Sequence, residues 1–299
     1  MKIMQKFLNR SRFLPMLLLL AVALSACGSA ADNAATNAAD NAAANAANNA
    51  VAENGGAGNQ QADTDPQSQV ELTISAAASL KDSLEEITAA YEKEHENVKL
   101  TMNFGASGTL QKQIEQGAPA DLFLSAGQKQ MTALIDGNFV TADSKIDLLR
   151  NRLVLIVPSD AATVPESMDA LKDAGFAQIA VGEPEVVPAG TYTKESLENE
   201  QLWDVLQPKM VLAKDVTQVL TYVESGNADA GFVYESDAKL SDKVKTALVV
   251  DEASHSPIIY PAGIVAATKH SDETAEFLQY LQTAEARDVF VNHGFTVTE

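Results

Sequence analysis

Val70-Glu71-Leu72-Thr73-Ile74-Ser75-Ala76-Ala77-Ala78-Ser79-Leu80 is the stretch that decides the fold. Val70 to Ser75 has the β-favouring composition of a strand. From Leu80 the apolar period changes. Leu80, Leu84, Ile87 and Tyr91 recur at i, i+4, i+7 and i+11, which is one face of a helix. The switch falls on Ser79 with almost no loop. Ser79 and Asp82 also have the three-residue spacing of a capping box. The same grammar returns at Gly105-Ala106-Ser107-Gly108-Thr109, between a strand over Val98–Phe104 and a helix over Ser107–Gln116. A serine at such a corner offers a hydroxyl, and behind it stands the unpaired N–H end of a helix. That combination is an uncharged socket for an anion.

Working outward, strand and helix patterns alternate. Asp121–Ser125 reads as a short buried strand, Gln128–Asp136 as a helix stopped by Gly137, and Leu153–Val157 as a wholly apolar central strand ending at Pro158. Further strands are expected at Ile179–Val181, Ala230–Tyr234 and Ile258–Ala267. Helices are expected at Gly190–Asn199, Val216–Ser225, Asp272–Leu281 and Ala284–Asn292. This alternation implies an α/β fold of two lobes, each a mainly parallel sheet flanked by helices. The chain is expected to cross between lobes near Arg150–Pro158 and to return near Val249–Pro261. Lobe I is then 70–152 with 254–299, and lobe II is 153–253.

The first residues carry an address. Lys2, Lys6, Arg10 and Arg12 precede an apolar run, Phe13–Ala26, that is shorter than the ~20 residues a spanning helix needs. It ends in Leu24-Ser25-Ala26-Cys27-Gly28, which resembles a bacterial lipoprotein signal with Cys27 as the lipidated residue. Cys27 is the only cysteine, so no internal disulfide can form. Residues 28–69 are rich in Ala, Asn, Asp, Gly and Gln, without an aromatic, Lys or Arg. Such a tract cannot offset its ordering entropy by burial and is expected to act as a tether of roughly 35 Å. The expected location is the outer face of the bacterial cytoplasmic membrane.

The formal net charge is −20. The few charges before residue 70 nearly cancel, so the acid excess lies in the body. Such a body is a poor match for nucleic acid. His95, His255, His270 and His293 are scattered, and no His or Cys pair has ligand spacing, so no cation site is expected. Gly105-Ala106-Ser107-Gly108-Thr109 comes near a Gly-x-Ser-x-Gly nucleophile elbow, but Thr109 replaces the second glycine. A serine hydrolase using Ser107 is therefore a secondary alternative, and an adhesive or scaffolding lipoprotein a third.

Two more corners complete the set. Pro188-Ala189-Gly190 opens one helix, and Asp215-Val216-Thr217-Gln218 opens another with Asp215 and Gln218 as a capping pair. Ala189 and Val216 can contribute only backbone N–H groups. Tyr234, at the end of Gly231-Phe232-Val233-Tyr234, adds a phenol. Convergence of these groups would make a site for a small tetrahedral oxyanion.

Ala76-Ala77-Ala78-Ser79-Leu80, Asn103 to Gly108, Gly117 to Ala126, Gly182-Glu183-Pro184 with Val187 to Tyr192, Gly231 to Ala238 and His293 to Val297 resemble the periplasmic molybdate-binding proteins of ABC importers. The resemblance spans the body in the family's order. It implies a two-lobed monomeric binding protein that closes on molybdate, with tungstate as a further ligand, and hands it to an ABC permease. No cofactor is implied, and molybdenum is held as its oxyanion by Ser79, Ser107, Ala189, Val216 and Tyr234. The residues alone leave sulfate open, since sulfate shares the shape and charge of molybdate.

Overall fold

The computed structural model describes residues 69–298. The expected leader, the expected lipidation site Cys27 and nearly all of the expected tether lie outside the described residues. Among the described residues, no helix is long and apolar enough to cross a membrane.

The first run of elements is β1 (Val70–Ala77), α1 (Lys81–Glu94), β2 (Val98–Gly105), α2 (Ser107–Glu115), β3 (Leu122–Leu124), α3 (Gln128–Asp136) and β4 (Ile146–Arg150). A single 3-10 turn, Ala78–Leu80, leads from β1 into α1. The second run is β5 (Leu153–Pro158), β6 (Ile179–Gly182), α4 (Pro188–Asn199), α5 (Trp203–Leu206), β7 (Met210–Ala213), α6 (Val216–Glu224), β8 (Ala230–Tyr234), α7 (Glu235–Lys239) and β9 (Val244–Val249). The chain closes with β10 (Ile259–Ile264), α8 (Ser271–Tyr280), α9 (Ala284–Asn292) and β11 (Thr296–Val297).

These strands form two sheets and hence two lobes. One has six strands in the order β11-β4-β10-β3-β1-β2, and the other has five in the order β7-β6-β8-β5-β9. The first sheet takes strands from both ends of the described chain. The second is built wholly between β4 and β10. The expectation of mainly parallel sheets needs correcting, because both are mixed. β1 runs parallel to β2 and β3, whereas β10 is antiparallel to β3 and β4, and β11 to β4. In the second sheet β6 is parallel to β7 and β8, and β5 is antiparallel to β8 and β9. β5 and β10, the first strands after each crossing, run against the βαβ units beside them, so neither sheet is parallel throughout.

Packing follows the apolar pattern. Leu80, Leu84, Ile87 and Tyr91 are all essentially buried, and Leu153 to Val157 are completely so. The register brings strand ends together. Ala77 lies beside Gly105, and Gly182 beside Ala213. Each pair marks the carboxyl ends of parallel strands, where helices begin and where open α/β sheets bind their ligands. Close approach at one of these ends demands glycine. A Cβ added to Gly190 would sit 1.9 Å from the carbonyl oxygen of Gly182, so only glycine lets the first turn of α4 rest on the end of β6.

Candidate functional site

All five residues expected from the sequence meet around one cavity. Ser79, Ser107, Ala189, Val216 and Tyr234 line it, contributed by both sheets. It is narrow, with ≈ 10 Å³ open to the centre of a water-sized sphere. Neither Lys, Arg nor His is among the lining residues, and the one charged group there is Asp215. Its carboxylate is turned into its own helix, where Oδ1 accepts the Gln218 N–H at 2.8 Å. Gln218 Oε1 accepts the Lys214 N–H at 2.8 Å, so the expected pairing at this corner is reciprocal but reaches one residue further back.

The helix ends differ from expectation in a way that matters. Ser79 does not cap α1. It sits inside the 3-10 turn that Ala77 caps, Leu80 takes the cap position of α1, and no side chain caps either, so the Ser79–Asp82 capping box does not form. Ser107 is likewise the first residue of α2, after Ala106. The hydroxyls are therefore not spent on their own helices. Ser79 Oγ lies 3.0 Å from the Tyr260 hydroxyl, and Ser107 Oγ accepts the Ala126 N–H at 3.0 Å. Ala189 is the second residue of α4, behind Pro188, and Val216 is the first of α6.

First-turn N–H groups have no intrahelical acceptor. Among the described residues, the N–H groups of Ser79, Ser107, Ala189 and Val216 find no acceptor elsewhere either. The Tyr234 hydroxyl is buried and also lacks a partner. Burial pushes this phenol well above its ordinary value, so it remains a proton donor. Buried polar groups are nearly always paired, and each exception needs a reason. Five such exceptions, the four N–H groups and the Tyr234 phenol, line this one cavity, and all five are donors. Ser107 fits the same pattern. Its oxygen is occupied by the Ala126 N–H, so its own proton is free to be given away.

Segments attached to the two sheets also touch beside the cavity. The Gly108 N–H donates to the Val186 carbonyl at 2.9 Å, and the Tyr192 hydroxyl donates to the Ala126 carbonyl at 3.4 Å. A Cβ on Gly108 would lie 2.7 Å from the Val186 Cα and oxygen. Sequence reasoning missed Val186, Ala126, Tyr260 and Asn151. Their contributions depend on long-range register, which local periodicity does not report.

Over residues 72–296 the chain matches the family described as bacterial extracellular solute-binding protein. The chain belongs to this family. A Bacillus subtilis relative named as a putative ABC transporter substrate-binding lipoprotein is 49% identical over 244 residues, covering 81% of this chain and 92% of the relative. The molybdate-binding protein ModA of Escherichia coli is 38% identical over 248 residues, covering 81% and 93%. Among solved structures, the substrate binding domain of a putative molybdenum ABC transporter from Clostridium difficile shares 48% identity with a TM-score of 0.60, covering 77% of this chain and all of that one. The periplasmic molybdate-binding protein of Azotobacter vinelandii, at 23% identity and a TM-score of 0.67, covers 76% of this chain and shares the fold.

As an extracellular solute-binding protein, the chain is a binding protein and not an enzyme. The hydrolase alternative fails on geometry too. His95, His255, His270 and His293 all lie outside the cavity lining, so Ser107 has no base beside it there. Among the described residues, no group of three or more His, Cys, Asp or Glu could hold a metal ion. The donor set suits an anion.

Proposed function

We propose that this solute-binding protein captures molybdate, and tungstate alongside it, and delivers the anion to an ABC permease. One observation carries the reading: four helix-start N–H groups and a buried phenol, all without acceptors, converge with two serine hydroxyls on one small cavity. A fully deprotonated tetrahedral dianion is purely an acceptor, and such a shell pairs every donor at once. Hydrogen phosphate brings a proton that would meet only donors, and an unpaired buried donor costs on the order of 1–3 kcal/mol. Sulfate is separated from molybdate only by size. The relatives that bind molybdate favour the larger anion.

The lobes are 70–152 with 254–299, and 153–253, closing about the crossings at Asn151–Arg152 and Val250–Ile258. Closure presents a shape that a permease reads. Cys27 anchors the monomer to the outer face of the cytoplasmic membrane, with residues 28–69 as the tether. A lipoprotein relative supports the anchor. Two or more acyl chains hold a protein stably where one does not.

Calorimetric titration with molybdate, tungstate, sulfate and hydrogen phosphate tests the ligand. Tight binding of the first two and none of hydrogen phosphate is expected. Heat from hydrogen phosphate equal to that from molybdate would end the reading. Metabolic labelling with a fatty acid, lost in Cys27→Ala, tests the anchor.

A further inference from the structure

We infer that Tyr260 and Asn151 are positioning residues that set the direction of the Ser79 hydroxyl, holding its proton toward the ligand and thereby selecting fully deprotonated anions. The inference rests on the oxyanion reading and deepens it.

The argument follows the bonds in order. Asn151 Oδ1 accepts the Arg152 N–H at 2.9 Å, which fixes which end of the amide is which. The NH₂ end therefore faces the other way, toward Ser236 Oγ at 2.8 Å and the Tyr260 hydroxyl at 3.4 Å. An amide nitrogen only donates, so the Tyr260 oxygen accepts. Among the described residues, Ser79 Oγ at 3.0 Å is the other side-chain partner of the Tyr260 hydroxyl, and the Tyr260 proton is assigned to it. The Ser79 oxygen is an acceptor in that bond. Its own proton has no other acceptor among the described residues and is left for the cavity that Ser79 lines.

The chain of bonds is sheltered, since Ser79, Ser236 and Tyr260 are all buried. It also runs across the fold. Ser79 leads from β1, Tyr260 lies on β10, Asn151 lies in the first crossing, and Ser236 lies on α7 behind Tyr234. The Tyr260 ring packs edge-on against Tyr234 and Phe295, so removing the hydroxyl alone leaves the ring held. With Ser107 directed by the Ala126 N–H, both serines of the site are fixed as donors by bonds they accept from behind. A serine free to rotate could instead turn a lone pair to the ligand and accept a proton from hydrogen phosphate.

The test is oxyanion selectivity in Tyr260→Phe and Asn151→Asp, measured by calorimetry on the folded body with molybdate, sulfate and hydrogen phosphate. Tyr260→Phe is expected to weaken molybdate and sulfate together and to narrow the preference for molybdate over hydrogen phosphate about tenfold, or 1.4 kcal/mol. Asn151→Asp replaces a donor with an acceptor at the Tyr260 end and reverses the chain. Molybdate affinity should fall more than tenfold, and most of that loss should vanish when Asn151→Asp is made in the Tyr260→Phe background. The persistence of the whole loss there would show a plain charge effect and overturn the inference.

Equal weakening of all three anions by Tyr260→Phe, or no change in any, would also overturn it. If Tyr260→Phe does not fold, Asn151→Ala frees the same hydroxyl and should give the same narrowing. A wild-type protein that does not bind molybdate would defeat the parent reading instead, before any variant is compared.

Discussion

Tyr234→Phe separates a ligand donor from a structural tyrosine. The Tyr234 hydroxyl is buried and has no hydrogen-bond partner among the described residues, so its removal deletes no bond among them. The unliganded melting temperature should therefore hold or rise slightly. A hydrogen bond to a charged acceptor contributes about 1.5–3 kcal/mol. Taking about 2 kcal/mol, the dissociation constant for molybdate rises roughly 30-fold. Mass action gives the readout. At a ligand concentration 100 times the wild-type dissociation constant, the wild type gains about 2.7 kcal/mol. At that same concentration the variant gains only about 0.9 kcal/mol, so the molybdate-induced thermal shift should shrink to about a third. Differential scanning calorimetry with and without molybdate measures both quantities. A variant with the full wild-type shift would refute the assignment of Tyr234 to the ligand shell. A variant that melts well below the unliganded wild type would show that the hydroxyl has a partner in the fold after all.

Gly108→Ala places a methyl group 2.7 Å from the Val186 backbone and should block closure. Small-angle scattering should then show no compaction on adding molybdate, with affinity down at least tenfold and unliganded stability kept, since alanine is the better helix former by about 1 kcal/mol. Burial pushes the Asp237 carboxyl up from 3.8 to about 7, with Asp82 and Asp215 adding to the rise and the Tyr234 N–H opposing it. The folded chain thus holds this proton more tightly than the unfolded chain, so stability should fall as pH rises from about 4 to about 7, by on the order of 4 kcal/mol from this group. Urea midpoints across that range should show the fall, flattened in Asp237→Asn, whose amide oxygen can still accept the Tyr234 N–H. The chain's net charge of −20 lies almost wholly in the body, which repels a dianion at long range, so stopped-flow association should speed up with added salt. A steep decrease would point to a cationic entrance that the cavity lining does not contain.

The parts legible in the sequence were those fixed locally. The face Leu80, Leu84, Ile87 and Tyr91 is a period within one helix, and the apolar run Leu153–Val157 is a buried strand on its own evidence. β4, β7, β9 and β11 went unassigned because their half-exposed residues derive their role from a neighbour's register. The serine corners were visible because strand and helix periods abut there. Their capping role was misread, since spacing reports that Asp82 is within reach of Ser79 and not that Tyr260, on a strand from the other end of the chain, takes the hydroxyl first. Ala189 and Val216 carry no chemistry in their side chains. Only the resemblance to a family could single them out.

The site has to overcome both its own body and the nearby carboxylate of Asp215, without a cation among the lining residues. The helix ends supply the means. Each helix start carries roughly half a positive charge, so α1, α2, α4 and α6 together bring about two, the opposite of a dianion. That field falls off within the first turn. α1 and α2 rise from the first sheet and α4 and α6 from the second, so neither lobe alone collects more than about half of it. A dianion held between them gains the full complement only when the lobes meet, and a monoanion gains about half as much from the same movement. In the proposed function, closure is then driven by ligand charge itself. The Gly108–Val186 contact and the directed serines act on a conformational equilibrium that the helix ends have already biased toward doubly charged ligands.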